Sequence, residues 1–215
     1  MENIWADILY VGSGVLVTLQ LLAGAICISV VIGLLMSILR YRGICRSLIN
    51  GIISVVRGTP LVLQLGLIYF AVPGIFGLKL TAVAAGIISF GLNSSAYVAE
   101  ILRAGIESVP KGQFEAAQTL GIPVSHMWKD IILPQVVRNI LPAMIGEVIA
   151  LLKETAIISM IGCQDIMRKS QLLAAERFVY FTPLCIAGVY YYCLVLLIEF
   201  IGRKIEQSEK YDQNI

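Results

Sequence analysis

Residues Glu115 to Pro134 read EAAQTLGIPVSHMWKDIILP, and the spacing within this stretch governs how the rest of the chain is read. Glu115-Ala116-Ala117 is followed, after three intervening residues, by Gly121, then after nine more by Ile131, one further residue, and Leu133-Pro134. Pro110 suits the first turn of a helix, where its missing N–H is not needed. Gly121 suits the left-handed position that closes one. A second helix restarts near Pro123, with Val124, Met127, Trp128, Ile131 and Ile132 on one face at helical spacing, and Pro134 limits its continuation. The expectation is two short helices meeting at a glycine elbow. Paired alanines permit close backbone approach, and the apolar face of the second helix offers a plug for a groove on another protein. An ordinary interfacial amphipathic helix needs no such fixed spacing.

The surroundings of the elbow are apolar. The chain has 215 residues, 58% hydrophobic and 14% charged, with a mean hydropathy of +0.86. Soluble domains carry about 25% charged residues, so lipid must be the main solvent here. A net charge of +2 gives no indication of nucleic-acid binding. Cys27, Cys45, Cys163, Cys185 and Cys193 form no CxxC pair and read as packing residues or free thiols. A single histidine, His126, excludes a histidine-rich metal site. No GxxxxGK[ST] loop is present to cradle phosphate, and no Ser, Cys or carboxylate constellation suggests catalysis. The N-terminal Met1–Asp7 is acidic where a cleaved signal peptide would be basic, so the run that follows is expected to stay as the first span.

A membrane-crossing helix needs about 20 apolar residues. Charge-free runs of that length are Ile8–Leu39, Gly58–Leu78, Leu80–Ala99 and Phe178–Ile198; Asn139–Gly162 is a fifth candidate despite Glu147, Lys153 and Glu154. The expected spans are about 8–39, 52–73, 79–102, 139–162 and 180–202, within one all-α membrane domain over 14–203, with a loop at 103–138 and a tail at 204–215. Lysine and arginine placement sets the orientation. With the N-terminus outside, the inner segments hold Arg40, Arg42, Arg46, Arg103, Lys111, Lys129, Arg138, Arg203, Lys204 and Lys210, against Lys79, Arg168, Lys169 and Arg177 outside. The prediction is five spans, N-out and C-in, with the elbow in the cytoplasm. There is no internal repeat, low-complexity tract or linker.

The motif Glu115-Ala116-Ala117, Gly121, Ile131, Leu133, Pro134 resembles the EAA signature of the membrane subunits of bacterial ABC importers. Arg57-Gly58-Thr59-Pro60 with the following LVLQLGLIYFAVP, Ala96-Tyr97-Val98-Ala99-Glu100-Ile101 and Ser108-Val109-Pro110-Lys111-Gly112-Gln113 resemble the polar amino-acid permeases of histidine, glutamine or arginine type. So do Ile132-Leu133-Pro134-Gln135, Leu141-Pro142 and Leu151-Leu152-Lys153-Glu154-Thr155, and the resemblance extends from about Thr18 to Arg203. It departs at Glu154, where the group commonly has Asp, and at Ala104, where it commonly has Gly. The resemblance implies an ABC importer type I transmembrane fold in the bacterial inner membrane. It also implies that the elbow is a coupling helix docked on separate ABC ATPase subunits, which use the ATP and Mg²⁺; the chain itself binds no cofactor. The implied partners are those ATPases, an extracytoplasmic amino-acid-binding protein and a second permease copy or homologue, all within the bilayer.

Charges inside spans cost about 2.5–3.5 kcal/mol each at mid-helix, which makes them functional candidates. Glu147 and Glu154 lie two turns apart on one face, with Lys153 one position off it. Asn93, Tyr97 and Glu100 from the third span and Arg57, Thr59 and Gln64 from the second complete the donors and acceptors that a zwitterionic amino acid needs. The alternative for each is a hydrogen bond tying helices together. Two rival functions are an ion-coupled secondary transporter, with the carboxylates as relays, and a non-transporting scaffold that keeps the ATPase-docking loop. Inverted repeats and broken helices, the marks of secondary transporters, are not evident in the sequence.

Overall fold

The computed structural model describes residues 4–211. The described residues are helical almost throughout, and five long or paired segments build the bundle. α1 (Ile4–Gly12) leads into α2 (Val15–Tyr41), and α3 (Arg46–Gly58) into α4 (Leu61–Phe76). α5 (Ala82–Glu107) precedes the elbow helices α6 (Lys111–Thr119) and α7 (Val124–His126). Then come α8 (Leu133–Glu154), α9 (Ile166–Arg177) and α10 (Phe181–Tyr211). By length and composition Ile4–Tyr41, Ala82–Glu107 and Phe181–Ser208 are apolar enough to cross a membrane, and α3 with α4 forms a further bent pair.

α2 and α5 form the spine. Along α2 the buried positions include Ala25, Ser29, Gly33 and Ser37, a small residue every fourth position. On α5 the buried face is built from Ala85, Gly86, Ser89, Gly91, Ser94, Ser95, Ala96 and Ala99. Lipid offers no hydrophobic penalty to drive helices together, so close backbone approach through small residues is the main route to association. The fit is tight: a Cβ on Gly33 would lie 2.7 Å from the Val98 side chain, and one on Gly91 would lie 2.6 Å from Ile28. Leu21, Leu22, Leu65, Phe90, Leu151, Leu152 and Ile158 fill the centre where α4 and α8 close over this pair.

Several of the expected segments are not single unbroken helices. The first segment turns at Ser13-Gly14, where a Cβ on Gly14 would sit 2.5 Å from the Asp165 backbone. Asp165 caps α9, its carboxylate accepting from the N–H groups of Met167 (3.2 Å) and Arg168 (2.9 Å). At its other end α9 is tied to α1 by an ion pair between Arg177 and the buried Asp7. The expected second span at 52–73 is broken, because α3 and α4 meet at 102° across Thr59-Pro60. Pro60 has no N–H for a helical bond and pushes Thr59 into extended backbone (φ −112°, ψ 144°). The segment expected as a span at 139–162 is the latter part of α8 followed by a 3-10 turn, Thr155–Ile161. α10 runs without a break into the expected tail at 204–215; residues 212–215 of that tail, like Met1–Asn3, lie outside the described residues.

Pro134 does not end the elbow's second helix either. Met127–Ile132 widens to a π turn, with the Leu133 N–H bonded to the Trp128 carbonyl, and the chain continues into α8. The same device stands before Pro73, where Leu67–Ala71 is a π turn inside α4. A proline in a helix removes one i→i−4 bond and clashes with that carbonyl, and a locally wider turn absorbs both.

Candidate functional site

The elbow at 108–140 is a small, self-packed unit. α6 ends on a two-bond closure: the Gly121 N–H donates to the Gln118 carbonyl and the Ile122 N–H to the Ala117 carbonyl, both at 3.0 Å. Gly121 has φ +64°, the left-handed conformation that this closure requires. No atom lies within 4 Å of where its Cβ would be, so only the backbone demands glycine here. Pro110 and Pro123 cap α6 and α7 from just outside, rather than occupying the first turn.

Inside the elbow, Val109, Ala117, Met127, Ile132 and Val136 form a buried cluster, with Phe114, Ile122, Trp128 and Ile131 against it. This corrects the expected apolar plug. Met127 and Ile132 point into the elbow's own core instead of outward. Of the motif positions, Ala117 is buried, Ile131 half-buried, and Glu115, Ala116, Gly121, Leu133 and Pro134 exposed. The outward apolar surface is Leu120 (76% exposed) and Val124 (66%), flanking Gly121. The motif alanines therefore divide their work, one facing the core and one the surface.

The elbow is held to the bundle at two stems. Asn139 Nδ2 donates to Ser108 Oγ at 2.8 Å, and a Cβ on Gly105 would lie 2.1 Å from Ile140 Cγ2. Trp128 stacks edge-on against Tyr41 at the end of α2 (5.0 Å, 82°) and against Phe114 of α6 (6.0 Å). Tyr41 was not among the residues singled out from the sequence. An aromatic at the end of an apolar run, next to Arg40 and Arg42, is the signal that could have found it.

The polar candidates separate into two groups. Thr59, Gln64 and Asn93 belong to the 102° bend: Gln64 Nε2 donates to the Val56 carbonyl and Thr59 Oγ1, each at 2.8 Å, and Asn93 Nδ2 donates to Gln64 Oε1 at 3.1 Å. Their hydrogen bonds go into joining α3, α4 and α5. Glu100 sits nearby among three arginines, Arg40 from α2, Arg57 from α3 (3.9 Å) and Arg103 (2.9 Å). Arg57 also lies over the Tyr97 ring, 5.1 Å from its centre. Arg57, Tyr97 and Glu100 line a 490 Å³ cavity that continues to Ser108 and Asn139 at the elbow stem.

Glu147 and Glu154 lie on α8, both half-buried. Glu147 accepts from Ser94 Oγ at 2.6 Å, which ties α8 to α5. Glu154 stands at the end of α8, just before the 3-10 turn. The structure thus joins Glu100 with Arg57 and Tyr97, and Asn93 with Gln64 and Thr59; Glu147 lies within electrostatic reach of Arg57, and Glu154 within reach of Glu147.

A bundle of apolar helices carrying a rigid, outward-facing elbow between two of them has the build of a membrane transport component. The family model for the inner membrane component of binding-protein-dependent transport systems matches residues 29–211. A protein of Rickettsia typhi, provisionally named a glutamine transport system permease protein, is 48% identical over 206 residues, 95% of this chain and 94% of its own length. The arginine transport system permease protein ArtQ of Bacillus subtilis is 41% identical over 204 residues, covering 94% and 93%. A crystal structure of an amino acid ABC transporter with histidines superposes with a TM-score of 0.85 at 38% identity, over 93% of this chain and 94% of that one. The MetNI methionine ABC transporter in an inward facing conformation superposes at 0.81 with 19% identity, over 97% and 99%, a likeness of fold alone. The chain belongs to the family of binding-protein-dependent transport system inner membrane components.

Proposed function

We propose that this chain is the permease subunit of an ATP-driven ABC importer for polar or charged amino acids, in the bacterial inner membrane. The carrying observation is the elbow: a rigid, self-packed projection whose Leu120–Gly121–Val124 tip is exposed although apolar. Such a tip, with Glu115 and Ala116 beside it, is suited to docking in a cleft of an ABC ATPase. Closure of two ATPases, which bind the ATP and Mg²⁺, is then passed through the stems at Gly105–Ile140 and Ser108–Asn139 as rigid-body motion.

In this reading the chain spans the bilayer five times, N-out and C-in, with the bent α3–α4 pair as its second crossing. Two copies, or this chain and a homologous one, enclose the path, and an extracytoplasmic binding protein delivers the substrate. Tyr97, Glu100, Glu147 and Glu154, with Arg57, offer both signs of charge to a zwitterion. Glutamine and arginine are the substrates to try first, given the names of the relatives.

The test is a mild-detergent pull-down of tagged protein from native membranes, comparing wild type with Gly121→Arg. An ABC ATPase retained by wild type and lost from a folded variant supports docking through the elbow. A well-folded wild type that retains no ATPase would overturn it. Uptake of glutamine and arginine into liposomes holding the purified complex then separates the substrates.

A further inference from the structure

Two adjoining cavities on the side of α2 are not used by this reading. The first, 540 Å³, is an apolar groove between the end of α2, α5 and the elbow; Leu34, Ile38, Leu102, Val124, Trp128 and Leu133 line it. The second, 290 Å³, is polar, with Arg40, Arg46, Arg103 and Glu107 in its wall. They meet, because Ser37, Tyr41 and Ile106 line both. Arg42 stands at the groove. Arg40 and Arg103 are engaged with Glu100, and Arg103 also with Glu107. Among the described residues, neither Arg42 nor Arg46 pairs with a carboxylate, and both are exposed.

An apolar slot with Arg42 at its wall, opening onto a pocket that holds the unneutralised Arg46, has the amphipathic outline of a phospholipid: one acyl chain in the slot, an anionic phosphate at these two arginines. We propose that this site binds an anionic phospholipid, with Arg42 and Arg46 holding the head group and the groove between Ile38 and Trp128 holding a chain. Charge selects the lipid. A zwitterionic head group carries its own ammonium, which gains nothing from the arginines, whereas phosphatidylglycerol presents an uncompensated phosphate. The bound chain packs on Trp128 and so bridges α2 to the elbow below its tip, which makes lipid composition an input to how firmly the elbow is seated. The binding requires only that α2 and α5 lie in a bilayer, so it can fail without touching the docking of an ATPase, and the reverse.

The chain has two tryptophans, Trp5 and Trp128. The full-length Trp5→Phe protein therefore reports from the groove alone, and brominated acyl chains quench tryptophan on contact. In phosphatidylcholine vesicles, dibrominated phosphatidylglycerol is expected to quench Trp128 at a mole fraction about 25-fold lower than dibrominated phosphatidylcholine. Each arginine near the surface favours an anionic lipid by roughly fivefold, so Arg42→Gln with Arg46→Gln brings the two lipids to within about twofold of each other. Ile38→Trp in a Trp128→Phe background tests the slot itself, since its indole should be quenched in the same order. Equal quenching by both lipids, or anionic preference unchanged in the double glutamine variant, would overturn the proposal. Quenching by neither would mean that protein covers the groove, and would overturn it as well. Loss of the anionic preference on adding millimolar inorganic phosphate, with quenching by the chain otherwise intact, would assign the arginines to free phosphate and overturn the lipid head-group assignment.

Discussion

Replacing Gly121 by alanine isolates the backbone requirement of the elbow. The Cβ meets nothing within 4 Å, so no steric or packing cost is added. What remains is the penalty for an L-residue at φ +64°, about 1–2 kcal/mol. Alanine also restricts the opened chain, which returns roughly 0.4–1 kcal/mol. The net is centred on about 0.8 kcal/mol in favour of opening, a factor of roughly 4. The bonds at stake are those from the Gly121 and Ile122 amides to Gln118 and Ala117. Hydrogen–deuterium exchange over the peptide 117–123, in detergent or nanodiscs, should therefore speed up by that factor in Gly121→Ala. Gly121→Asn, whose side chain tolerates the left-handed region, should stay within about twofold of wild type. Exchange in the alanine variant as slow as in wild type would refute the claim that glycine is there for its φ angle. Faster exchange in both variants alike would point to an unrelated effect of adding any side chain.

Gly105→Ala places a Cβ 2.1 Å from Ile140 and should cost about 1–3 kcal/mol of thermal stability. In an Ile140→Ala background the same change should cost at least about 1 kcal/mol less, and additivity of the two would remove that contact from the account. Gln64→Leu removes the two short bonds to the Val56 carbonyl and from Asn93, leaving only the 3.5 Å contacts of Asn93 and Thr59 with that carbonyl, and should cost about 1–3 kcal/mol in all. Spin labels at Gly51 and Phe70 should then report a broader distance distribution across the bend; an unchanged distribution would show that Pro60 holds the angle alone.

The elbow was legible in the sequence because its determinants are local. Gly121 needs its conformation whatever surrounds it, and the spacing to Pro123 and to Ile131 is fixed along the chain. Which face of the second helix points outward was not legible. Met127 and Ile132 are equally suited to a partner's groove and to the elbow's own core, and Ala117 on the neighbouring helix decides between them. The break at Thr59-Pro60 was misread for a different reason: hydropathy sums over Gly58–Leu78 and is blind to a missing N–H. Asn93 and Gln64, which bond to each other, lie 29 residues apart in the chain, and Asp7 and Arg177 lie 170 apart, so no pattern of local spacing could have joined them. The small-residue row on α2, every fourth position from Ala25 to Ser37, is periodic and was there to be read.

The bent pair bears on how the chain is made. At 1.5 Å per residue Leu61–Phe76 is about 24 Å long, short of a hydrocarbon layer of about 30 Å. Before α5 is made, the segment can fill the layer only by drawing in flanking residues, the Gly58-Thr59-Pro60 junction on one side and Gly77-Leu78 on the other, which is the run that hydropathy describes. Asn93, Ala96 and Ala99, against which the bend and α3 rest, are synthesised later, with α5. Pro60 breaks the helix from the start, but the surface that seats α3 is completed only by α5, so the final angle should be set when α5 is in place. A nascent chain halted before Asn93 and one halted after Glu107 should differ in how deeply Gly51 lies in the bilayer.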